Sequence, residues 1–158
     1  MTSSVVFMLA LGLGVIAGLR SMTAPATLAW GARLGWLHLQ NSRLSILGSK
    51  AAVWILTILA FLELILDTNP EMPDRTVPPS LVFRMITGGF SGAVACISLG
   101  QPALRGAALG ALGAVLGTFA GYQARHRVVT KLHVPDLAAA ALEDLLAIGG
   151  ALFLVSRL

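Results

Sequence analysis

The residues able to do chemistry in this chain sit where apolar side chains otherwise prevail: Arg20, Ser21, Thr23, Glu63, Arg84, Arg105, Glu143 and Asp144. A charge at the centre of a bilayer costs about 2.5 kcal/mol or more even on insertion scales, so each such group is expected to turn inward and find a partner. Arg20 has the densest polar surroundings, in Gly18-Leu19-Arg20-Ser21-Met22-Thr23-Ala24-Pro25. A guanidinium keeps its charge at any reachable pH, so Arg20 calls for a carboxylate or a bound anion within hydrogen-bonding distance. Glu143 and Asp144 are the candidate carboxylates, with Asp67 a candidate partner for Arg84. Two readings follow. In one, these are ion pairs that lock a bundle. In the other they form a polar path, in which a carboxylate takes a cation or proton and the N-terminus of a restarted helix faces a small anion.

Positioning such groups requires a membrane helix that breaks and restarts. An apolar span, Val5 to Leu19, runs into the break and a second helix, Thr27 to Leu37, runs out of it. Pro25 suits the first turn of a helix, and Thr23 carries the side chain of an N-cap. In a bilayer such a break persists only where protein or a water-filled cavity satisfies the freed backbone groups.

The rest of the chain supports that setting. Of its 158 residues, 56% are hydrophobic and 11% charged, with a mean hydropathy of +0.84; a soluble domain carries about a quarter charged residues. The composition predicts a single integral membrane domain over 1–158, an all-α bundle of five or six segments with at least one broken or half-length helix. The polar stretch His38 to Ser49 reads as surface chain. Ala51 to Leu66 reads as the most lipid-like span, with Glu63 near its far end expected to reach the headgroups and Asp67 four residues on. The connection Asp67 to Ser80 holds Pro70, Pro73, Pro78 and Pro79, which predicts a stiff ordered cap in which Asp74 and Arg75 pair with each other or reach back to the bundle. Spans are expected at Arg84 to Leu99 and Arg105 to Tyr122, joined by the turn Gly100-Gln101-Pro102. A basic link follows from Gln123 to Val134, and a last helix runs from Pro135-Asp136 to Leu154. The apolar Val5 to Leu19 resembles a signal-peptide core, but Met1-Thr2-Ser3-Ser4 carries no Lys or Arg, and it is expected to be a retained first helix.

Small residues four apart mark close helix packing: Gly14 with Gly18, Gly106 with Gly110, and Gly113, Gly117 and Gly121. Such stripes belong at a bundle centre or a subunit contact, and they predict self-association to a homo-oligomer. Leu13-Gly14-Val15-Ile16-Ala17-Gly18 also echoes Leu116-Gly117-Thr118-Phe119-Ala120-Gly121, as an internal repeat would.

Several functions are disfavoured. The net charge of +4 is spread over loops and helix ends without a basic and aromatic patch, which argues against nucleic acid. A lone Cys96 rules out an intrachain disulfide and two-cysteine metal sites. No hydrolase triad spacing, zinc-type His/Glu pair or phosphate loop is present, and adjacent Glu143 and Asp144 point about 100° apart on a helix, so neither an enzyme nor a metal or cofactor site is expected. The lipid bilayer is the expected partner, with a small anion or cation as the candidate solute.

The run Gly18 to Pro25, the loop Pro73-Asp74-Arg75-Thr76, Arg84, the stripe from Gly113 through Ala120-Gly121-Tyr122-Gln123-Ala124-Arg125, and Glu143-Asp144 together resemble the bacterial membrane-protein family known as domain of unknown function 4126. The resemblance covers nearly the whole chain and implies a multi-pass inner-membrane protein without an assigned reaction. Orientation presents a conflict. The basic clusters Arg33 to Lys50 and Arg125 to Lys131 belong on one side by the positive-inside rule, yet three spans separate them. Either a segment between Arg84 and Tyr122 is re-entrant, or both orientations occur.

Overall fold

The computed structural model describes residues 2–39, 42–66, 76–132 and 135–158. Among these, six α-helices and one short 3-10 helix, and no strand, make up the fold: α1 (Ser3–Leu19), α2 (Thr23–Arg33), the 3-10 turn Arg43–Gly48, α3 (Lys50–Leu66), α4 (Pro78–Ser98), α5 (Ala103–Leu132) and α6 (Asp136–Val155). Three helices, α4, α5 and α6, are long and apolar enough to cross a membrane. Expected Asp67, Asp74 and Arg75, with Pro70 and Pro73, lie outside the described residues.

The break falls at Arg20–Met22, and α2 starts four residues earlier than the sequence pattern predicts. Contacts across the chain give the direction of each helix. Gly14 meets Gly110, and Gly18 meets Ala114 and Gly117, so α1 and α5 run the same way; Gly88 meets Gly110 and Gly92 meets Gly106, so α4 runs opposite to them. Arg20 pairs with Asp144 and Gly31 packs on Val155, so α2 runs with α6 and therefore back along α1. Trp30 donates to Thr57 at 3.0 Å while Ser21 reaches Glu63, so α3 runs against α2. α1 and α2 thus form a helical hairpin that turns around inside the bundle.

This corrects the expected re-entrance between Arg84 and Tyr122: α4 and α5 are each continuous, and the fold-back lies in α1–α2. The expected basic link from Gln123 also proves to be helix, since α5 continues to Leu132. α4 opens at the proline pair rather than at Arg84, with prolines in its first turn and Val77 extended before them, as a residue preceding proline prefers. α3, α4 and α5 still separate the two basic clusters, which therefore lie at opposite ends of the bundle. In a Cys96→Ala background, Ser42→Cys and Thr130→Cys are expected to be labelled by a membrane-impermeant maleimide from opposite faces of oriented vesicles. Labelling of both from the same face would overturn this arrangement.

The centre is α1, α4 and α5, packed backbone to backbone. A Cβ at Gly14 would fall on the Gly110 carbonyl, one at Gly92 on the Gly106 carbonyl, and one at Gly117 on Val15. Lipid offers no hydrophobic drive between helices, so this close approach supplies the dispersion contacts that hold them. Gly113, expected at a bundle centre or a subunit contact, meets Leu11 and Val15 of α1. The stripes are therefore used for packing within one chain. The echoing segments of α1 and α5 lie side by side and parallel in this core.

Candidate functional site: a charged cluster at the helix break

Most of the backbone groups freed at the break can be traced to a partner. Arg20 is extended, and its N–H still donates to Ile16 O at 2.8 Å. The next two N–H groups turn to α3: Ser21 N donates to Glu63 Oε1 at 2.7 Å and Met22 N to Oε2 at 2.8 Å, with Ser21 Oγ adding a 2.5 Å bond to Oε1. Thr23 N returns to Arg20 O at 3.3 Å and Ala26 N to Met22 O at 3.0 Å, which starts α2. On the other strand of the break, Arg84 Nη1 donates to Gly18 O at 2.8 Å and Leu19 O at 3.0 Å, and Thr118 Oγ1 reaches Gly18 O at 3.2 Å.

The two ends are thus capped by side chains of matching sign. A carboxylate sits at the positive N-terminus of α2 and a guanidinium at the negative C-terminus of α1. The caps also approach each other, with Arg84 Nη2 3.8 Å from Glu63 Oε1. Buried orphan N–H and C=O groups cost about 1–3 kcal/mol each, so the pair makes possible a turn that lipid would otherwise forbid.

Several sequence expectations are corrected here. Glu63 does not reach for headgroups; it occupies the N-terminus where a small anion was expected. Thr23 is not the N-cap, since Met22 holds that position and no side chain of α2 caps it. Thr23 and Pro25 are instead buried in the first turn. Arg84 serves α1 and Glu63, and Asp67, its expected partner, is outside the described residues. Arg105 is exposed in the first turn of α5, about 20 Å along the helix from Thr118, and takes no part.

Arg20 pairs as expected with α6. Its Nε lies 2.6 Å and its Nη2 2.5 Å from Asp144 Oδ1. The neighbouring Glu143 turns the other way, to Arg125 on α5 at 4.0 Å. The 100° between adjacent helical side chains, which argues against a shared substrate, lets each acid serve its own arginine. Arg20, Arg84 and Arg125 with Glu63, Glu143 and Asp144 make a charge-balanced cluster, about 9 Å from the start of α4 and 12 Å from the start of α6. Arg125 and Thr118 were missed as site members. Both follow the glycine stripe, Thr118 within it and Arg125 four residues after Gly121 on the same face, which was the available signal.

Exposure falls unevenly over the cluster. The Arg20 side chain is fully enclosed, whereas Arg125 and Asp144 retain 22% and 23% of their surface. The Arg125–Glu143 pair borders a groove of about 230 Å³ between the second half of α5 and the first half of α6, with Leu19, Val128, Leu142 and Leu146 among its apolar walls.

Residues 7–156 match the family described as Domain of unknown function (DUF4126). The chain belongs to that family. No curated protein and no solved structure matches it. The DUF4126 match spans the break, both caps, the α5–α6 groove and the whole cluster, so the site lies inside the family's own domain.

Proposed function

We propose that this is a multi-pass protein of the bacterial inner membrane that passes a small ion or solute, with the cluster at the break as its binding site. The observation that carries this reading is the graded cluster: paired charges deep in the bundle whose Arg125–Glu143 edge borders the α5–α6 groove and whose Asp144 is partly exposed. Buried ion pairs are costly and often replaceable by apolar packing without loss of stability. Six charges at this depth are therefore more than a lock requires. An anion would compete with Asp144 for Arg20 or with Glu143 for Arg125, and a cation or proton would compete for the same carboxylates. Each carboxylate faces a separate arginine, the geometry of binding and partner exchange rather than of two groups converging on one bond.

Reconstituted vesicles test it, with a lumenal pH dye for protons and a lumenal chloride-sensitive dye for chloride, under a potassium diffusion potential. Wild-type vesicles should carry one of these ions faster than protein-free vesicles. Glu143→Gln should slow that flux about tenfold, the effect of roughly 1.4 kcal/mol on the barrier. Wild-type flux equal to that of protein-free vesicles for both ions would sink the proposal for them. A membrane-structural, lipid-interacting role is the second reading, favoured by Glu63, which already fills the N-terminus of α2.

A further inference from the structure

The α5–α6 groove, which borders the Arg125–Glu143 pair, also has an apolar and cationic chemistry of its own. On α5 its wall is Gly121, Ala124, Arg125 and Val128, spaced i, i+3, i+4 and i+7. That face continues to Lys131, three residues beyond Val128 and exposed. Between Gly121 and Val134 the chain holds Arg125, Arg127 and Lys131 and no acidic residue. An apolar slot therefore runs from a cationic helix end into the bundle, about 10 Å deep from Val128 to Gly121, with Leu19 among the residues lining it.

We propose that the groove holds an acyl chain of an anionic phospholipid, whose phosphate lies against Lys131 and Arg127. The missing side chain at Gly121 gives the chain its room, and Ala124 and Ala139 keep the slot open. The basic end of α5 selects the headgroup, as juxtamembrane basic residues do at anionic surfaces. Arg125 stays with Glu143 and borders the chain rather than binding the phosphate.

Native mass spectrometry of the protein in neutral detergent, offered equal amounts of phosphatidylglycerol and phosphatidylcholine, reads this directly. Wild type should retain phosphatidylglycerol preferentially, and Lys131→Gln should lower the preference about fivefold, while Lys131→Arg keeps it. Ala124→Trp, placed from an exposed position, should fill the groove and lower occupancy by both lipids, with the size-exclusion profile and helical content unchanged; Val128→Trp is a second filler if that variant misfolds. Equal retention of the two lipids by wild type would overturn the proposal. So would undiminished binding in folded filler variants, or displacement of the lipid by inorganic phosphate alone. Each of these readouts is independent of whether vesicles pass ions.

Discussion

Gly110→Ala is expected to destabilise the bundle by about 3 kcal/mol, measured as the unfolding midpoint in mild detergent. Gly110 lies where α1, α4 and α5 converge: a Cβ there would fall on the Gly88 carbonyl and stand 2.9 Å from its carbon and 3.2 Å from Gly92 Cα. These are backbone atoms, so no rotamer change relieves them. α4 and α5 must instead separate, and a gap of even 0.5–1 Å forfeits a quarter to a half of each dispersion contact along the seam. The comparison is Gly149→Ala on α6, where an added Cβ meets nothing within 4 Å. Alanine is favoured over glycine inside a helix by roughly 1 kcal/mol, so that variant should be neutral or slightly stabilised. Equal behaviour of the two variants would mean that the glycine seam is not where the helices touch.

The same seam shows what sequence can and cannot specify in this fold. Gly14, Gly18, Gly110 and Gly117 announce close approach through their spacing, but spacing does not say whether the partner is another helix of the chain or another copy. That answer depends on α4, whose Gly88 and Gly92 meet the Gly106 and Gly110 ridge of α5 while α1 takes the Gly113 and Gly117 side. The break was legible because a run of Arg, Ser, Thr and Pro between apolar helices is too costly for a continuous helix facing lipid, and the partnership of Arg20 with α6 followed from its permanent charge. Glu63 was not. A carboxylate near the end of an apolar helix has the same local pattern whether it faces headgroups or the interior, and its role appears only once α2 folds back to bring Ser21 and Met22 to it.

Helix ends misled for a related reason. The charges from Gln123 onward resemble a loop, yet Gln, Ala, Arg and Lys are all good helix formers, and neither Gly nor Pro interrupts the run to Leu132. Charge density marks the end of the apolar span, which is a property of the solvent around the chain; the end of the helix is a property of the backbone, and the two need not coincide. The conflict in basic residues had a similar fate. Moving the re-entrant element to α1–α2 leaves three full helices between the clusters, so both ends of the bundle carry positive charge and the charge rule alone does not orient it.

Arg20→Ala should be the most damaging single change at the site, by about 3–5 kcal/mol, because it leaves Asp144 inside the bundle without its guanidinium. Removing one partner of a buried pair costs more than the pair itself contributes, since the remaining charge keeps its desolvation penalty. Asp144 Oδ1 accepts a hydrogen bond from Arg20 Nε and pairs ionically with Nη2, and the Arg20 side chain has no exposed surface through which water could replace either contact. Arg20→Ala combined with Asp144→Asn removes the stranded charge. That double variant should recover most of the lost stability in the same detergent unfolding assay, whereas Arg20→Ala with Glu143→Gln should not, because Glu143 faces Arg125. Recovery by the Glu143 combination instead would mean that the two acids exchange roles. A single Arg20→Ala variant as stable as wild type would show that the pair does not hold the hairpin in place, and that Glu63 with the packing of α2 on α3 and α6 suffices to anchor it.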